Sequence, residues 1–302
     1  MIGIAGAGAW GKALGLVAEN AGHPVRFWAR GDNPAALRGC DAVILAVPAQ
    51  AIREVLRYTA PALAAHAPLI ISAKGIEQTT GLFMNEVVAD VLPGARAMVL
   101  SGPSFAADVI KGLPTAVVMA GTAVEETQRW AQALSLPSFR IYSSDDVKGV
   151  EIGGALKNVL AIACGISDGR RLGDSARAAL TTRGFAELTR FGRRLGARVE
   201  TLTGLSGLGD LLLTCASPQS RNYAFGRALG EGVSVNDALA RSRGVVEGAS
   251  TVNVAHRLAL AHGVEMPIVA AVHAIVDGGA KPEDEIARLL ARPAGAEHRE
   301  KD

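Results

Sequence analysis

The chain opens on a feature that few folds can accommodate. A short β-branched run, Ile2 to Ala5, is followed at once by Gly6-Ala7-Gly8-Ala9-Trp10-Gly11 and then by Lys12 to Asn20 at helical spacing. A strand, a glycine turn and a helix in that order form the context that a dinucleotide fingerprint requires. Gly6 permits the tight turn, Gly8 lets the backbone approach a pyrophosphate, and Gly11 lets helix and strand pack closely. The helix N-terminus, entered through Ala9 and Trp10, faces the negative charge. A glycine turn without a ligand is the plainer alternative, and the flanking strand and helix weigh against it.

The same alternation continues: Val25 to Trp28, Ala42 to Val47, Leu69 to Ser72, Ala97 to Leu100 and Thr115 to Met119 are short apolar runs separated by helical stretches. This predicts an α/β fold, an N-terminal Rossmann-type, doubly wound and mostly parallel sheet with crossover helices. Past Ser143-Ser144-Asp145-Asp146, which reads as a linker and N-cap, β-branched runs vanish and an all-helical C-terminal domain is predicted. The expected division is residues 1–144 and 145–302, each part long enough to bury a core, with a polar tail from about residue 291. The clearest helix runs from near Asp174 to near Leu195, with Ala176, Ala179, Leu180, Leu188, Phe191 and Leu195 on one side, and Gly196 stops it.

Composition excludes some partners. Lys+Arg 31 against Asp+Glu 29 gives a formal charge of +2, so no strong field argues for nucleic acid or an anionic membrane. Cys40, Cys164 and Cys215 stand apart from one another in apolar surroundings without zinc spacing, so no metal is expected and buried thiols in a reducing compartment are. No apolar run reaches the roughly 18 residues that span a bilayer, and a cytoplasmic protein is expected.

The second strand bears on cofactor choice. It ends Trp28-Ala29-Arg30, with no carboxylate at its end and Asp32 two residues beyond. Arg suits a ribose 2′-phosphate, so NADP(H) is favoured, with NAD(H) as the alternative; Arg30 as a solvated loop residue is the plain reading.

Four further segments are odd for mere packing. Lys74, in Ser72-Ala73-Lys74-Gly75, follows an apolar strand at the carboxyl edge, where open α/β sheets bind ligands. Ser101-Gly102-Pro103-Ser104-Phe105-Ala106 sets hydroxyls and backbone N–H groups ahead of a helix, as a binding turn or as an ordinary N-cap. In Gly153-Gly154-Ala155-Leu156-Lys157-Asn158, a lysine interrupts an apolar, small-residue helix. Burial would lower its pKa and make it a general base, whereas a snorkelling lysine would have no such role. Asp210, in Leu205-Ser206-Gly207-Leu208-Gly209-Asp210, is an N-cap or the partner of a catalytic lysine. Ser220-Arg221-Asn222, just beyond, is a donor set suited to phosphate or an ordinary polar loop.

Taken in order, GAGAWG, AVPAQ, SAKGIE, SGPSFA, GGALKNVLAIACGISDG, TRG, GLGDLLLTC, SRN and VVEG resemble the bacterial NAD(P)-dependent glycerol-3-phosphate dehydrogenases over nearly the whole chain. The resemblance implies that Lys157 accepts the alcohol proton, with Lys74, Gly102, Ser104, Asp210, Ser220, Arg221 and Asn222 around a small phosphorylated substrate. It implies cofactor contacts from Trp10, Arg30, Lys74, Ala106, Arg221, Val245 and Glu247, a homodimer, and a role in supplying glycerophospholipid synthesis. Two departures stand out: the stretch between Arg30 and Asp41 is shorter than the family pattern, and Ser175 occupies a place where that pattern has asparagine. Serine can cap the helix there but cannot reproduce amide contacts. The competing expectations are a related two-domain dehydrogenase for another hydroxy acid or phosphorylated alcohol, and a non-catalytic NADP(H)-binding regulator.

Overall fold

In a computed structural model describing residues 1–242 and 244–293, β1 (Ile2–Ala5), β2 (Val25–Trp28), β3 (Ala42–Leu45), β4 (Leu69–Ile71), β5 (Ala97–Ser101), β6 (Thr115–Ala120) and β7 (Phe139–Ser144) form one sheet in the order β2-β1-β3-β4-β5-β6-β7. Neighbours are parallel except β5 and β6, which run antiparallel. The period of two in each strand builds a core on each face. Ile2, Ile4, Ile44, Ile70 and Leu100 pack with Ala13, Leu14 and Val17 of α1 (Ala9–Asn20). Val43, Leu45, Leu69, Ile71 and Val99 pack with Ile52, Val55 and Leu56 of α2 (Ile52–Thr59) and Val87 and Val88 of α3 (Met84–Val91). Two shorter helices, α4 (Ala106–Ile110) and α5 (Val124–Ala133), complete the β-rich part.

Strand β7 corrects the reading of Ser143 and Ser144 as a linker: they are its last residues, pairing with Met119 and Ala120. The hydroxyl-rich end concealed a strand whose buried anchor is Phe139. Asp146 does act as a cap, its Oδ1 accepting from Gly149 N–H at 2.9 Å, at the start of α6 (Val147–Gly169).

The helices that follow are α7 (Asp174–Arg194), α8 (Val199–Thr203), α9 (Asp210–Cys215), α10 (Arg221–Gly230), α11 (Val235–Arg241), α12 (Glu247–Ala261), α13 (Pro267–Val276) and α14 (Pro282–Leu290). The chain divides into two units: Met1–Ala155 with Ala197–Asp210, and Leu156–Gly196 with Leu211–Asp302. Of the three crossings between them, two fall inside helices that carry candidate site residues, at Leu156 in α6 and after Asp210 at the start of α9, and the third lies between α7 and α8. Helix α7 has the predicted bounds, but Ala179 on its expected apolar side is exposed, and burial concentrates in its second half at Leu188 and Phe191. Gly173, at φ 90°, is its N-cap residue, so Ser175 lies inside the first turn and does not cap the helix. The expected polar tail falls largely outside the described residues, which end at 293.

Helix α6 also revises the expectation about apolar length. Its 23 residues include a window apolar enough, by length and composition, to cross a membrane. Lys148, Glu151 and Lys157 break the run when it is read as a string of letters. That window is 100% buried inside the fold, the state of a core helix.

Within the second unit, α6 and α10 touch backbone to backbone. A Cβ on Gly226 would stand 2.1 Å from Ile162 O, and one on Gly165 would stand 2.1 Å from Tyr223 O. Glycine on both helices is therefore a condition of the crossing, and the crossing fixes the start of α10, where Ser220, Arg221 and Asn222 lie, along α6.

Candidate active site

The glycine turn of the first unit is shaped for an anionic ligand. Gly6 is at φ +118°, and a Cβ there would meet Ala46 O at 2.4 Å; Gly11 leaves 1.8 Å to Gly6 O. Gly8 differs from both. It opens α1 with ordinary extended angles, has no side-chain cap, and a Cβ on it would find nothing within 4 Å. The first turn of α1, with exposed Ala9 and half-buried Trp10, carries no acid to compete with a phosphate. A cradle of backbone N–H groups with open space at the second glycine fits a dinucleotide pyrophosphate.

At the carboxyl ends of β4 and β5, still in the first unit, Lys74 meets Asp210. Lys74 Nζ donates to Asp210 Oδ2 at 2.7 Å and to Gly102 O at 3.0 Å. Gly102 O also accepts from Ser104 Oγ at 3.0 Å, so one carbonyl ties together three of the expected residues. Asp210 is fully buried, and its approach is irregular: Leu205–Gly209 is a π-helical turn leading straight into α9. A carboxylate in that position needs its ammonium partner, because an unpaired buried charge costs several kcal/mol. Asp210 thus meets a lysine, Lys74, as one of its two readings expects. Ser101 Oγ, in the same turn, is buried with no hydrogen-bond partner among the described residues. Ala106 begins α4 half-buried, and Arg30 is exposed beyond β2.

The second unit holds the other group. Lys157 is buried, 7% exposed, and its Nζ donates to Thr214 Oγ1 at 2.9 Å. Beside it, Asn158 Oδ1 accepts from Asn222 Nδ2 at 2.9 Å, and Asn222 Oδ1 accepts from Gly248 N–H at 2.8 Å, so one amide links α6, α10 and α12. Ser220 Oγ accepts from Tyr223 N–H at 3.2 Å and so caps α10. Exposed Arg221 lies with Nη1 2.6 Å from where a Cβ on Gly244 would stand. Next to Gly244, Val245 is 42% exposed, and Glu247 opens α12.

Several contributors were missed by the sequence reading. Thr214 had a signal, since it lies one helical turn after Asp210 in α9. Asp168 had none: it accepts from Tyr223 Oη and, at 2.6 Å, from Arg177 Nη1, bracing α10 against α6 and α7. Burial and the Asp168 carboxylate push the Tyr223 phenol up to about 12. Glu151, on α6 in the first unit, accepts from Asn85 N–H at 2.8 Å, and burial raises its carboxyl to about 8. Cys164 and Cys215, expected to be isolated, are in hydrogen-bonding contact, which holds the Cys164 thiol below the ordinary range.

The comparisons agree along the whole chain. Sequence models for the N-terminus and C-terminus of NAD-dependent glycerol-3-phosphate dehydrogenase match residues 31–127 and 146–287. The first match begins beyond the glycine turn. Glycerol-3-phosphate dehydrogenase [NAD(P)+] of Azorhizobium caulinodans is 51% identical over 325 aligned positions, and that of Parvibaculum lavamentivorans 48% over 325, each covering 98% of both chains. With 302 residues here, these relatives carry stretches that have no counterpart in this chain. The crystal structure of glycerol-3-phosphate dehydrogenase from Coxiella burnetii superimposes with a TM-score of 0.93 at 38% identity, covering 96% of this chain and 98% of the other. A ketopantoate reductase from Ralstonia eutropha, at 18% identity and a TM-score of 0.60, shares the fold alone.

Proposed function

The chain belongs to the NAD-dependent glycerol-3-phosphate dehydrogenase family and is an NAD(P)-dependent oxidoreductase interconverting glycerone phosphate and sn-glycerol 3-phosphate, and from that premise we propose how its residues divide the work. The observation that carries the assignment is Lys157: a lysine 7% exposed on an apolar helix, held by the hydroxyl of Thr214. Lys157 takes the proton of the substrate hydroxyl in oxidation and returns it to the developing alkoxide in reduction. When bound, the dinucleotide accepts or supplies the hydride.

Gly6, Gly8, Ala9, Trp10 and Gly11 hold the pyrophosphate, and the open space at Gly8 supports this. Lys74, paired with Asp210 and anchored on Gly102 O beside Ser104, orients the reacting end of the substrate. Arg221 binds the substrate phosphate, with Ser220 and Asn222 setting the start of α10 through their bonds to Tyr223 N–H and Gly248 N–H. Arg221, Val245, Glu247, Lys74 and Ala106 also contact the cofactor, as the family resemblance implies. Arg30, exposed just past β2, supports a preference for NADP(H). The same resemblance supports a cytoplasmic homodimer feeding glycerophospholipid synthesis.

The test is oxidation of NADPH and NADH with and without glycerone phosphate, by the wild type and by Lys157→Ala. Wild-type turnover should require glycerone phosphate, and the variant should lose about a thousandfold or more in kcat while keeping its affinity for NADPH. Near-normal turnover by the variant would remove Lys157 from proton transfer.

A further inference from the structure

We propose, on the footing of that dehydrogenase reading, that Asp32 is a cofactor-specificity residue. It holds a carboxylate where the ribose 2′ group is read, favouring the 2′-hydroxyl of NAD(H) and opposing the pull of Arg30 toward NADP(H). In the sequence, Asp32 is two residues too far along to serve as the acidic residue at the end of β2. The fold brings it back. The chain reverses at Gly31, φ +96°, so that Asp32 N–H donates to Ala29 O at 3.0 Å and Ala29 N–H donates to Asp32 Oδ2 at 2.8 Å. The carboxylate thus rests on the backbone of the residue directly after β2.

The turn is fixed from two further sides. Trp28 Nε1 donates to Asp32 O at 3.1 Å and Tyr58 Oη donates to the same carbonyl at 3.4 Å, the two rings lying 5.9 Å apart. Trp28 itself is buried and pairs with Ala5, and its carbonyl accepts from Gly6 N–H at 2.8 Å. Ala29 and Asp32 therefore stand beside the glycine turn, at the carboxyl end of the strand next to β1. In doubly wound sheets an acid at that place accepts from the ribose 2′-hydroxyl and repels a 2′-phosphate. Ala29 occupies Oδ2; Oδ1 has no partner among the described residues and is available to the hydroxyl. Strand β2 is the edge of the sheet, so among the described residues no outer strand supplies a competing group to this turn. The exposed Arg30 makes no ion pair with Asp32 among the described residues, and each acts on a ligand as a separate charge.

Asp32→Asn tests this, because an amide oxygen can still accept from Ala29 N–H while the charge is gone. Dissociation constants for NADPH and NADH are measured by fluorescence titration of the full-length protein, at low and high salt, for the wild type, Asp32→Asn and Arg30→Ala. The Asp32 variant should bind NADPH about tenfold tighter and NADH several-fold weaker. The NADPH gain should shrink at high salt, which a merely structural effect would not do. Arg30→Ala should shift selectivity the opposite way. If Asp32→Asn moves both affinities together, or neither, while the wild type binds both dinucleotides, the specificity role is overturned and the dehydrogenase reading stands. A wild type that binds neither would overturn the reading and the inference with it.

Discussion

Gly8 in the first unit and Gly226 in the second are both missing a side chain for reasons of space, yet the space serves opposite ends. Where Gly8 would carry a Cβ there is nothing within 4 Å; where Gly226 would carry one, Ile162 O stands 2.1 Å away. One leaves open space beside the backbone, the room that the proposed pyrophosphate contact requires, and the other is filled by protein. The contrast separates a glycine proposed to serve a ligand from a glycine kept for packing, a distinction that Gly-x-Gly patterns cannot make by themselves. It also gives each unit a distinct point of failure.

The largest expected effect is on packing. Gly226→Ala puts a methyl group into a backbone carbonyl, and neither partner is a flexible side-chain end that could move aside. Helices α6 and α10 would have to separate, at a cost of about 3 kcal/mol or more, near the upper end of overpacking in well-packed cores. A melting curve should show Tm lower by about 10 °C. An unchanged Tm would mean that the crossing has slack, and the contrast with Gly8 would lose its physical basis.

Next in size is a pH effect that can be compared between the units, since each holds on a helix a buried carboxyl whose pKa is raised by that burial. Glu187, on α7, accepts from Ile268 N–H at 2.7 Å and Val269 N–H at 3.2 Å at the start of α13, and burial raises its pKa from 4.5 to about 7. Glu151 in the first unit is raised to about 8. A raised carboxyl pKa means that the folded state holds the proton more tightly than the unfolded chain. Stability is therefore fullest below about pH 4.5 and is lost as pH rises toward 7 for Glu187 and toward 8 for Glu151. Urea unfolding at a series of pH values should show the decline, and Glu187→Gln should flatten its lower part. An equally steep slope in that variant would remove Glu187 as its source.

What could be read from the sequence tracks how local each constraint is. The strand, glycine turn and α1 were legible because the turn, the open helix end and the close packing all lie within ten residues of chain. The return of Asp32 onto Ala29 was not legible although only three residues separate them, because the chain reverses at Gly31 and letter spacing does not record a reversal. The Lys74–Asp210 pair joins residues 136 positions apart, and only the motif resemblance had placed both near one substrate. Strand β7 was hidden because its pairing partner, β6, supplies the order that its own serines do not advertise. Residues whose duty is set by a distant partner, such as Asp168 beneath Tyr223, carried no pattern to find.

The smallest expected effect is the most diagnostic of the difference between Gly8 and Gly226. Gly8 sits at φ −70° and ψ 179°, angles that alanine adopts without strain, and its outward face is empty. Gly8→Ala should therefore leave Tm within about 1 °C of the wild type, or raise it slightly, since alanine reduces the freedom of the unfolded chain. The methyl group would nevertheless stand where a pyrophosphate must approach the backbone, and affinity for NADPH and NADH should fall together by about tenfold, roughly 1.4 kcal/mol. Unlike Asp32→Asn, it should not change the ratio between the two cofactors, because the pyrophosphate is common to both. Binding lost without stability lost would identify the space at Gly8 as kept for the ligand; stability lost in step with binding would show that the apo protein already uses that space, and the two glycines would then differ only in degree.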